Sequence, residues 1–581
     1  MKQFQFAYSN LNNLRRELTK IDLWRKSTIT SRMVFQIFSE ILDKPLLQQI
    51  SDAIRSAFPD ALYMGCTTNG SICAGELAKS DVVVVCNIFE FPTTQIDMMQ
   101  YHLTDDTARD VVQDFLAELE KRPWVKAVEM FVTIRGMSMT VFCDELQKAR
   151  QDIRMYGGGA FLSDINDNNA NVFSCKGDFT DTGVVFLLLG GEDLHVRTTH
   201  IAGWKPLGKT FCVTRAENNL LYELDNAPAY QVYYNYLNIR NDENFFTNSL
   251  EFPFFYEHNG IKILRAPIAS NPDGSLTMTA DLEENVAANL AYGDPWTILE
   301  EIRHDGETLR DFCPEAIHIY SCAARRTFWG DAEISKESMP FQSIAPTTGF
   351  YTSGEFLRTD GKMNQHNVTL VVAAMREGDP PEEEMRQFRM EERDVSGKVS
   401  MISRLARFIE AATRDLEQAN NQLSEMAVTD GLTRIYNRAE IQRRIKERLK
   451  SGETLSLIML DIDNFKHVND AFGHKEGDAV IIGLADLLRR ATACDNSSAA
   501  GRWGGEEFMV LVPESLELAT KCAADCVKYF AEISFPAAGH QTVSVGVTQA
   551  KPDDTLDTLL VRVDKALYQS KTGGKNRYTV L

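Results

Sequence analysis

The chain has 581 residues, of which 44% are hydrophobic and 25% are charged, and its formal net charge is -21 at pH 7. This length exceeds what one hydrophobic core supports, so several domains are expected. The composition excludes disorder of the whole chain. The acidic balance argues against nucleic acid or an anionic membrane surface as a partner, because both require a basic footprint.

The apolar runs and the first residues predict a protein that stays in the cytoplasm. The longest runs, at residues 81–89 and 183–191, are far shorter than the roughly 20 residues that cross a bilayer, and they indicate buried strands. The opening MKQFQFAYSNLNNLRRE lacks the apolar core of an export signal. The eleven cysteines show no CxxC pair and no metal-ligand spacing, which favours reduced thiols.

Residues 1 to about 375 alternate strand candidates with helical stretches, which predicts a large mixed α/β region. The strand candidates are AVEMFVTI at 127, GVVFLLL at 183, IKILRAPI at 261, EAIHIYSC at 315 and NVTLVVAAM at 367. The stretch REGDPPEEEMRQ at 376–387 combines a Pro-Pro pair with acidic residues and predicts a boundary.

Residues 402–426 carry apolar residues spaced alternately three and four apart, which indicates a coiled-coil seam. No Gly or Pro interrupts it. The pattern favours a two-stranded parallel stalk and hence a homodimer; a single amphipathic helix lying on a neighbouring domain is the alternative. The seam residues are Ile402, Leu405, Ile409, Ala412, Leu416, Ala419, Leu423 and Met426.

In residues 427–581, two apolar strands place acids at a sheet end. LSLIMLDIDNF at 455 ends in aspartates, and EEFMVLVP at 506 begins with glutamates. If these strands are antiparallel neighbours, Asp461, Glu506 and Glu507 converge. Clustered carboxylates repel unless a proton or a cation is shared, so a magnesium site is predicted. Gly504 and Gly505 would then let a ligand approach the backbone closely.

Five segments of this region follow one another as DGLTRIYNR at 430, DIDNFKHVNDAFGHKEGDAVI at 461, GGEEF at 504, VSVGV at 543 and DKALYQSKTGGKNR at 564. Together they resemble the GGDEF family of diguanylate cyclases. The resemblance implies a palm-like α/β domain, with a central sheet flanked by helices. It also implies condensation of two GTP into cyclic di-GMP and two pyrophosphates with Mg²⁺, or with Mn²⁺ in its place.

The resemblance also implies roles for single residues. Asp461, the backbone carbonyl of Ile462 and Glu506 would hold the metal, and Glu506 would be the base for the attacking 3′-hydroxyl. Glu507 is a weaker candidate for the metal. The residues implied for the nucleotide are Asn469 and Asp478 at the guanine edge, His474 beside it, and Lys466, Lys571 and Lys575 at the phosphates.

Some of these assignments have ordinary structural alternatives. His474 can be a surface histidine, and Lys571 and Lys575 can complement the dipole of a helix that ends near Gly573. The family usually has arginine where Lys575 stands. Many members also carry a product-binding Arg-x-x-Asp pair just upstream; here the stretch is DNSS at 495–498, so inhibition by product through this loop is not expected.

The first two-thirds of the chain contain looser motifs. These are GCTTNGSI at 65, YGGGAFLSD at 156, FPFFYEHNG at 252, IYSCAARRTFWG at 319 and TTGFYTSGEF at 347. They resemble the two halves of the FIST sensory domain, which implies a small-molecule ligand, with haem as one alternative. Cys322 and Arg325 are the first guess for the pocket, although a buried thiol and a surface arginine would explain them too. The histidines show no metal-ligand spacing.

The sequence therefore predicts an N-terminal sensory half at 1–222 and a C-terminal sensory half at 223–375. A linker with a signalling helix at 376–426 and a cyclase domain at 427–581 follow. The predicted function is a diguanylate cyclase regulated by a ligand, in which the dimeric stalk brings two GTP-bearing domains together. The alternative is a catalytically silent nucleotide-binding module that acts through protein partners, and use of ATP beside GTP also stays open.

Overall fold

A computed structural model describes residues 1–28, 32–134, 137–162, 169–258, 261–380, 388–390, 401–492 and 497–581. The chain divides into two compact units, Met1–Ala411 and Ala412–Leu581. Both contain sheets and helices, so the predicted mixed α/β class is confirmed. Within the described ranges, no helix combines the length and the apolar character needed to cross a membrane.

The first unit is rich in strands. In chain order they are β1 (Lys2–Ala7), β2 (Arg32–Ser39), β3 (Leu62–Thr67), β4 (Ser71–Cys73), β5 (Glu76–Leu77), β6 (Val82–Phe89), β7 (Gln95–His102), β8 (Val125–Thr133), β9 (Arg154–Ala160), β10 (Val172–Ser174), β11 (Gly177–Thr180), β12 (Gly183–Gly190), β13 (Leu194–Ile201), β14 (Trp204–Glu217), β15 (Leu220–Leu224), β16 (Ala227–Pro228), β17 (Phe254–His258), β18 (Ile261–Arg265), β19 (Pro267–Ser270), β20 (Leu276–Met278), β21 (Ala287–Gly293), β22 (Ala316–Cys322), β23 (Thr347–Thr352), β24 (Glu355–Thr359), β25 (Lys362–His366) and β26 (Leu370–Glu377).

Its helices are α1 (Leu11–Ser27), α2 (Lys44–Ala57), α3 (Ala108–Glu120), α4 (Thr140–Leu146), α5 (Tyr230–Leu237), α6 (Phe245–Ser249), α7 (Pro295–Phe312), α8 (Ala323–Trp329) and α9 (Met339–Gln342), with a 3₁₀ turn at Ile334–Lys336. The apolar runs predicted as buried strands are β6 and β12, and every residue in each of them is buried. Continuous apolar sequence is expected where both faces of a strand are covered.

Two sheets of this unit combine strands from the two predicted sensory halves. One sheet has the order β25-β24-β9-β8-β12-β7, and another has the order β13-β26-β22-β23-β4-β5. The hairpin β24–β25 therefore pairs with the N-terminal half through β9, and β4–β5 pairs with the C-terminal half through β23. The boundary predicted at 222/223 falls inside β15, and it stays a prediction.

Of the two remaining sheets of the first unit, the first lies within the N-terminal half, and the second also combines the two halves because its strand β14 precedes residue 222. The order β1-β6-β2-β3-β10-β11 forms a six-stranded sheet from the N-terminal residues. The order β18-β17-β21-β14-β15-β20-β19, with β16 on β15, forms an eight-stranded sheet farther along the chain.

The second unit contains β27 (Ser456–Ile462), β28 (Ala499–Gly504), β29 (Glu507–Val512), β30 (Ser534–Phe535), β31 (Gly539–His540), β32 (Val543–Gln549) and β33 (Tyr578–Val580). Its helices are α11 (Arg438–Ser451), α12 (Phe465–Phe472), α13 (His474–Thr492), α14 (Leu516–Glu532) and α15 (Leu556–Thr572), preceded by α10 (Met401–Val428). The main sheet has the order β28-β29-β27-β32-β33, so β27 is central.

Alternate residues of β27 enter two separate cores, as the period of a strand requires. Ile458 and Leu460 pack in a cluster with residues of α13 and α14. Leu457 and Met459 pack in a second cluster with residues of α11 and α15. The prediction that this strand is buried on both faces, in a sheet flanked by helices, is confirmed. This central strand carries Asp461 near its end.

The predicted signalling helix exists as α10, a continuous helix of 28 residues. Three seam side chains, those of Ile402, Leu423 and Met426, lie outside the described residues. Leu405, Ile409 and Leu416 are 51%, 42% and 71% exposed. The pairing of two such helices stays a prediction.

Candidate active site

Three carboxylates meet where β27 ends beside the hairpin of β28 and β29. Strands β27 and β29 pair antiparallel, with Asp461 opposite Glu507. The backbone N–H of Ile462 donates to the backbone carbonyl of Glu506 at 3.3 Å. Gly505 and Glu506 form the tip of the hairpin, between the ends of the two strands. The predicted convergence of Asp461, Glu506 and Glu507 at one sheet end is confirmed.

Asp461 is only 6% exposed, and its charge has a partner on α15. The Lys571 ammonium lies 2.7 Å from Asp461 Oδ2. Burial raises the pKa of Asp461, Lys571 opposes that shift, and the neighbouring Glu506 and Glu507 add to it. A buried carboxylate beside two others is stabilised by positive charge, which Lys571 supplies here.

The donor set fits Mg²⁺, which takes hard oxygen ligands. No group of three or more His, Cys, Asp or Glu side chains forms a ready-made metal cage within the part of the chain that the structure describes. Mg²⁺ is usually held by one or two carboxylates together with substrate phosphates, rather than by an all-protein cage. Asp461 and Glu506, with the backbone at Ile462, supply that number of protein ligands.

The turn after α15 brings a second lysine to the same edge. Lys575 Nζ donates to Asn464 Oδ1 at 2.5 Å. Asp463 holds this turn, because its Oδ2 accepts from the backbone N–H of Asn576 at 3.1 Å. Its Oδ1 accepts from the Ser544 hydroxyl at 2.7 Å. Sequence reasoning missed this role, although Asp463 is the second aspartate of the DID motif.

Arg502 fixes the tip of the hairpin and was also missed from the sequence. Its Nε and Nη2 donate to the Gly505 carbonyl at 3.0 and 2.8 Å. Its Nη1 donates to Asp430 Oδ1 at 3.3 Å. Asp430 in turn accepts from the Thr433 backbone N–H at 2.9 Å. Arg502 thereby ties the DGLTR turn to the residue that precedes Glu506, which makes it a positioning residue.

The glycine at position 505 is not required by the protein's own packing. A Cβ added there would meet no heavy atom within 4 Å, and the backbone is outside the left-handed region. The neighbouring Gly504 would meet only Glu507 Oε2, at 3.5 Å. Free space above a hairpin tip beside carboxylates agrees with the predicted close approach of a ligand.

The residues predicted for guanine lie on α12 and α13. Asn469 is half-buried against Gly477, where an added Cβ would come within 2.0 Å of Asn469 Oδ1. Lys466, His474 and Asp478 are exposed. In the described chain, no hydrogen bond links these side chains to the carboxylates. Their assignment to the nucleotide stays a prediction.

The structure shows what surrounds Cys322 and Arg325, the two residues predicted to line the sensor pocket. Arg325 is fully buried, and its guanidinium pairs with Glu337 at 2.7 Å. It also donates to the carbonyls of Ala202 and Val368 at 2.7 and 3.0 Å. Cys322 is 5% exposed. Arg325 is thus a core residue rather than the surface arginine of the alternative reading, and these contacts do not favour a role in ligand binding.

Residues 495 and 496 of the DNSS stretch compared with the product-binding pair lie outside the described residues, as do 381–387 and 391–400 of the predicted linker. Strand β26 continues to Glu377, and the bounds of the linker stay a prediction. That strand therefore runs two residues into the segment predicted to break regular structure.

Comparison with known families agrees with the two units. The model of the GGDEF domain of diguanylate cyclases matches residues 427–577. The FIST N domain matches residues 34–227, and the FIST C domain matches residues 229–358.

Among individual proteins, diguanylate cyclase DgcM of Escherichia coli K12 is 34% identical over 166 residues, which are 28% of this chain and 40% of DgcM. Diguanylate cyclase VdcA of Vibrio cholerae is 34% identical over 179 residues, which are 29% of this chain and 52% of VdcA. The crystal structure of the coiled coil and GGDEF domain of DgcB from Caulobacter crescentus, in complex with c-di-GMP, is 31% identical. It matches 31% of this chain and all of that one, with a TM-score of 0.29.

The fold and the acidic hairpin thus define an α/β domain with a central sheet that gathers carboxylates at one end. The chain belongs to the GGDEF family through its C-terminal unit, and it carries FIST N and FIST C domains before that unit.

Proposed function

We propose that this protein is a diguanylate cyclase that joins two GTP into cyclic di-GMP and releases two pyrophosphates. The observation that carries the proposal is the convergence of Asp461, Glu506 and Lys571 at the hairpin tip, with Lys571 Nζ 2.7 Å from Asp461. The matched region covers only 40% of DgcM and 52% of VdcA. Cyclase activity is therefore proposed for this chain from its own residues.

Each residue of the proposed active site has its own role in the reaction. Asp461, the Ile462 carbonyl and Glu506 would hold Mg²⁺, which when bound polarises the α-phosphate and acidifies the attacking 3′-hydroxyl. Glu506 accepts the proton of that hydroxyl. Lys571 and Lys575 neutralise the pyrophosphate as it leaves. Arg502 keeps Glu506 in place through the Gly505 carbonyl, and Asp463 keeps Lys575 in place through Asn576.

The nucleotide base would bind along α12 and α13. Asn469 and Asp478 would hydrogen-bond the guanine edge, and His474 would lie beside it. Lys466 would reach the phosphates from α12. The half-buried side chain of Asn469 packs against Gly477, which supports a fixed orientation for its amide.

One domain holds one GTP in this proposal, so two copies must face each other. The apolar side chains Leu405, Ile409 and Leu416 on α10 are 51%, 42% and 71% exposed, which is unusual for large apolar residues unless another surface covers them. A homodimer through residues 402–426 would cover them and bring two active sites together. A small molecule bound to the FIST region would set the rate through this helix.

Exchange of Glu506 for glutamine tests the proposal. Glu506→Gln keeps the size of the side chain but removes the base and a charged ligand, and a loss of one such group typically lowers the rate about 100-fold to 1,000-fold. Synthesis of cyclic di-GMP from GTP and Mg²⁺ is measured by chromatography. The matched control is Glu507→Gln, at the next residue of the chain, for which a smaller loss is expected.

Three results would contradict the proposal or one of its parts. Wild-type protein that makes no dinucleotide would instead support the silent nucleotide-binding alternative. Substantial synthesis by Glu506→Gln would remove the role given to Glu506. ATP competing equally with GTP would contradict the guanine contacts assigned to Asn469 and Asp478.

A further inference from the structure

The beginning of α10 belongs to the compact first unit, which extends to Ala411. Ala406 is 4% exposed there. The large apolar side chains of Leu405, Phe408 and Ile409 beside it are 51%, 72% and 42% exposed. A short side chain on the surface of a helix is buried this completely only where another element lies on it. One face of α10 is therefore covered, and the apolar face beside it stays open.

The contacts of the neighbouring residues place this cover on β14 and β21, which pair antiparallel. A Cβ added to Gly208 of β14 would lie 3.7 Å from Ile409 Cγ2. Burial raises the pKa of Tyr292 on β21, the Glu410 charge adds to the rise, and the Arg407 charge opposes it. Residues of α10 on both sides of the buried alanine thus lie at these two strands. We call the surface of β14 and β21 at Gly208 and Tyr292 the helix platform.

The chain ahead of α10 is held on the same unit by a second contact. Gly306 is a buried glycine inside α7, and a Cβ added to it would come within 2.1 Å of the Phe388 ring. The backbone N–H of Arg389 donates to the Ser343 hydroxyl at 3.0 Å. Glycine inside a helix is unfavourable relative to alanine, and a seat for the Phe388 ring explains it here. Because α7 begins directly after β21, this seat and the helix platform lie on consecutive elements.

The covered face and the predicted seam are different faces of α10. In the heptad repeat of the seam, Leu405 and Ile409 are core positions, whereas Ala406 falls at a position that flanks the core. Glu410, one turn after Ala406, is half-buried on the covered side. Contact with the helix platform therefore leaves Leu405 and part of Ile409 available to a second helix.

A helix that already lies on the sensor is easier to pair than a free one. Most of the stability of a helix in a protein comes from packing of its apolar face. The helix platform orders the beginning of α10 and fixes the direction of its seam before a second copy arrives. Such preorganisation strengthens association, because less conformational freedom is lost on binding. Contact with the sensor should therefore favour the dimer rather than compete with it.

We propose that the helix platform holds the beginning of α10 with its seam facing outwards, and that this contact strengthens the pairing of two chains. The seat of Phe388 on α7 supports the contact by attaching the chain at a second point. The inference deepens the proposed homodimer and rests on it for the effect on pairing and on cyclase rate. The contact between helix and sensor is tested without it.

The contact is tested by thiol labelling of the full chain with N-ethylmaleimide. Ala406→Cys places a thiol on the covered face, and Ala411→Cys places one at an exposed position of the same helix. Peptide mass spectrometry separates these thiols from the native cysteines. Labelling should be slower by about tenfold or more at position 406 than at 411, because a buried thiol reacts only after local opening. Equal rates would overturn the proposal.

The same labelling is repeated with Leu416→Glu added, which removes the dimer. Protection of position 406 should persist there, because the sensor rather than the second helix covers it. Protection that disappears with the dimer would overturn the proposal.

The effect on pairing is tested with Ala406→Arg. Arginine does not fit where alanine is 4% exposed, yet it favours a helix and is an ordinary residue beside a coiled-coil core. The dissociation constant of the dimer, measured by sedimentation, should rise about tenfold, and the cyclase rate at low protein concentration should fall. Ala411→Arg is the matched control and should change neither. Unchanged pairing in a folded Ala406→Arg protein would overturn the proposed effect.

Gly306→Ala tests the seat of Phe388 without weakening α7, because alanine favours a helix. The added Cβ displaces the Phe388 ring, so the thiol of Ala406→Cys should be labelled about twofold faster or more. His304→Ala, at an exposed position of α7, is the control and should leave labelling unchanged. Unchanged labelling in Gly306→Ala would overturn the role given to Phe388.

Labelling and sedimentation require no GTP, so the proposals fail separately. Protein with a protected thiol that makes no cyclic di-GMP contradicts only the proposed enzyme activity. A monomeric wild type with a protected thiol supports the contact and overturns its effect on pairing.

Discussion

The variant Gly505→Ala tests whether the glycine at the hairpin tip is required for folding or for the approach of a ligand. The added Cβ would meet no protein atom within 4 Å, and the backbone conformation is accessible to alanine. Such a change stabilises a protein by about 0.4–1 kcal/mol, because it restricts the unfolded chain. The methyl group would nevertheless occupy space that the nucleotide phosphates need beside Glu506. We expect kcat/KM for GTP to fall at least tenfold, about 1.4 kcal/mol.

The assay combines thermal unfolding with synthesis of cyclic di-GMP. Gly431→Ala is the matched control, because its Cβ would also meet nothing within 4 Å, and it should keep its activity. Gly546→Ala gives the opposite case. Its Cβ would lie 2.4 Å from both Leu567 N and Val563 O, so it should destabilise the protein by about 1–3 kcal/mol. Wild-type activity in Gly505→Ala would refute the reasoning about ligand approach.

Two further predictions concern the helix and the thiols. Leu416→Glu places a charge at a position of α10 where the leucine side chain is 71% exposed. Sedimentation should show loss of the dimer, and the cyclase rate should fall. The control Gln418→Glu should change neither the dimer nor the rate. A monomeric wild type would contradict this. Burial raises the pKa of Cys143 to about 12, so at pH 8 iodoacetamide should label the exposed Cys212 and leave Cys143 unmodified until the protein unfolds. Equal labelling of both in the native protein would contradict that burial.

The local sequence pattern was sufficient to predict that the acidic residues meet at one hairpin. Two strands with continuous apolar faces and acids at facing ends leave few arrangements, and the antiparallel pairing of Asp461 with Glu507 is one of them. The contact between Asp463 and Asn576 spans 113 residues, and no local pattern shows that these two turns meet. The bond of Arg502 to the Gly505 carbonyl depends on the bend of the hairpin, which periodicity does not describe.

In the sensor, too, contacts between distant residues could not be predicted from local sequence pattern. Arg325 follows a buried strand and was expected at a pocket or on the surface, yet Glu337, twelve positions later, pairs with it inside the core. The choice between these outcomes depends on where the 3₁₀ turn at Ile334–Lys336 packs, which is a tertiary property.

Hairpin β24–β25 pairs with a strand of the N-terminal half, and hairpin β4–β5 pairs with a strand of the C-terminal half. This pairing has a consequence for gene fusions and for the expression of fragments. A fragment that ends before β24 would leave β9 with an open edge, and a fragment that begins after β5 would leave β23 with one. Open edges recruit other chains and promote aggregation. The FIST N and FIST C domains should therefore travel together in gene fusions, and a recombinant fragment of either one should be insoluble unless the other is coexpressed.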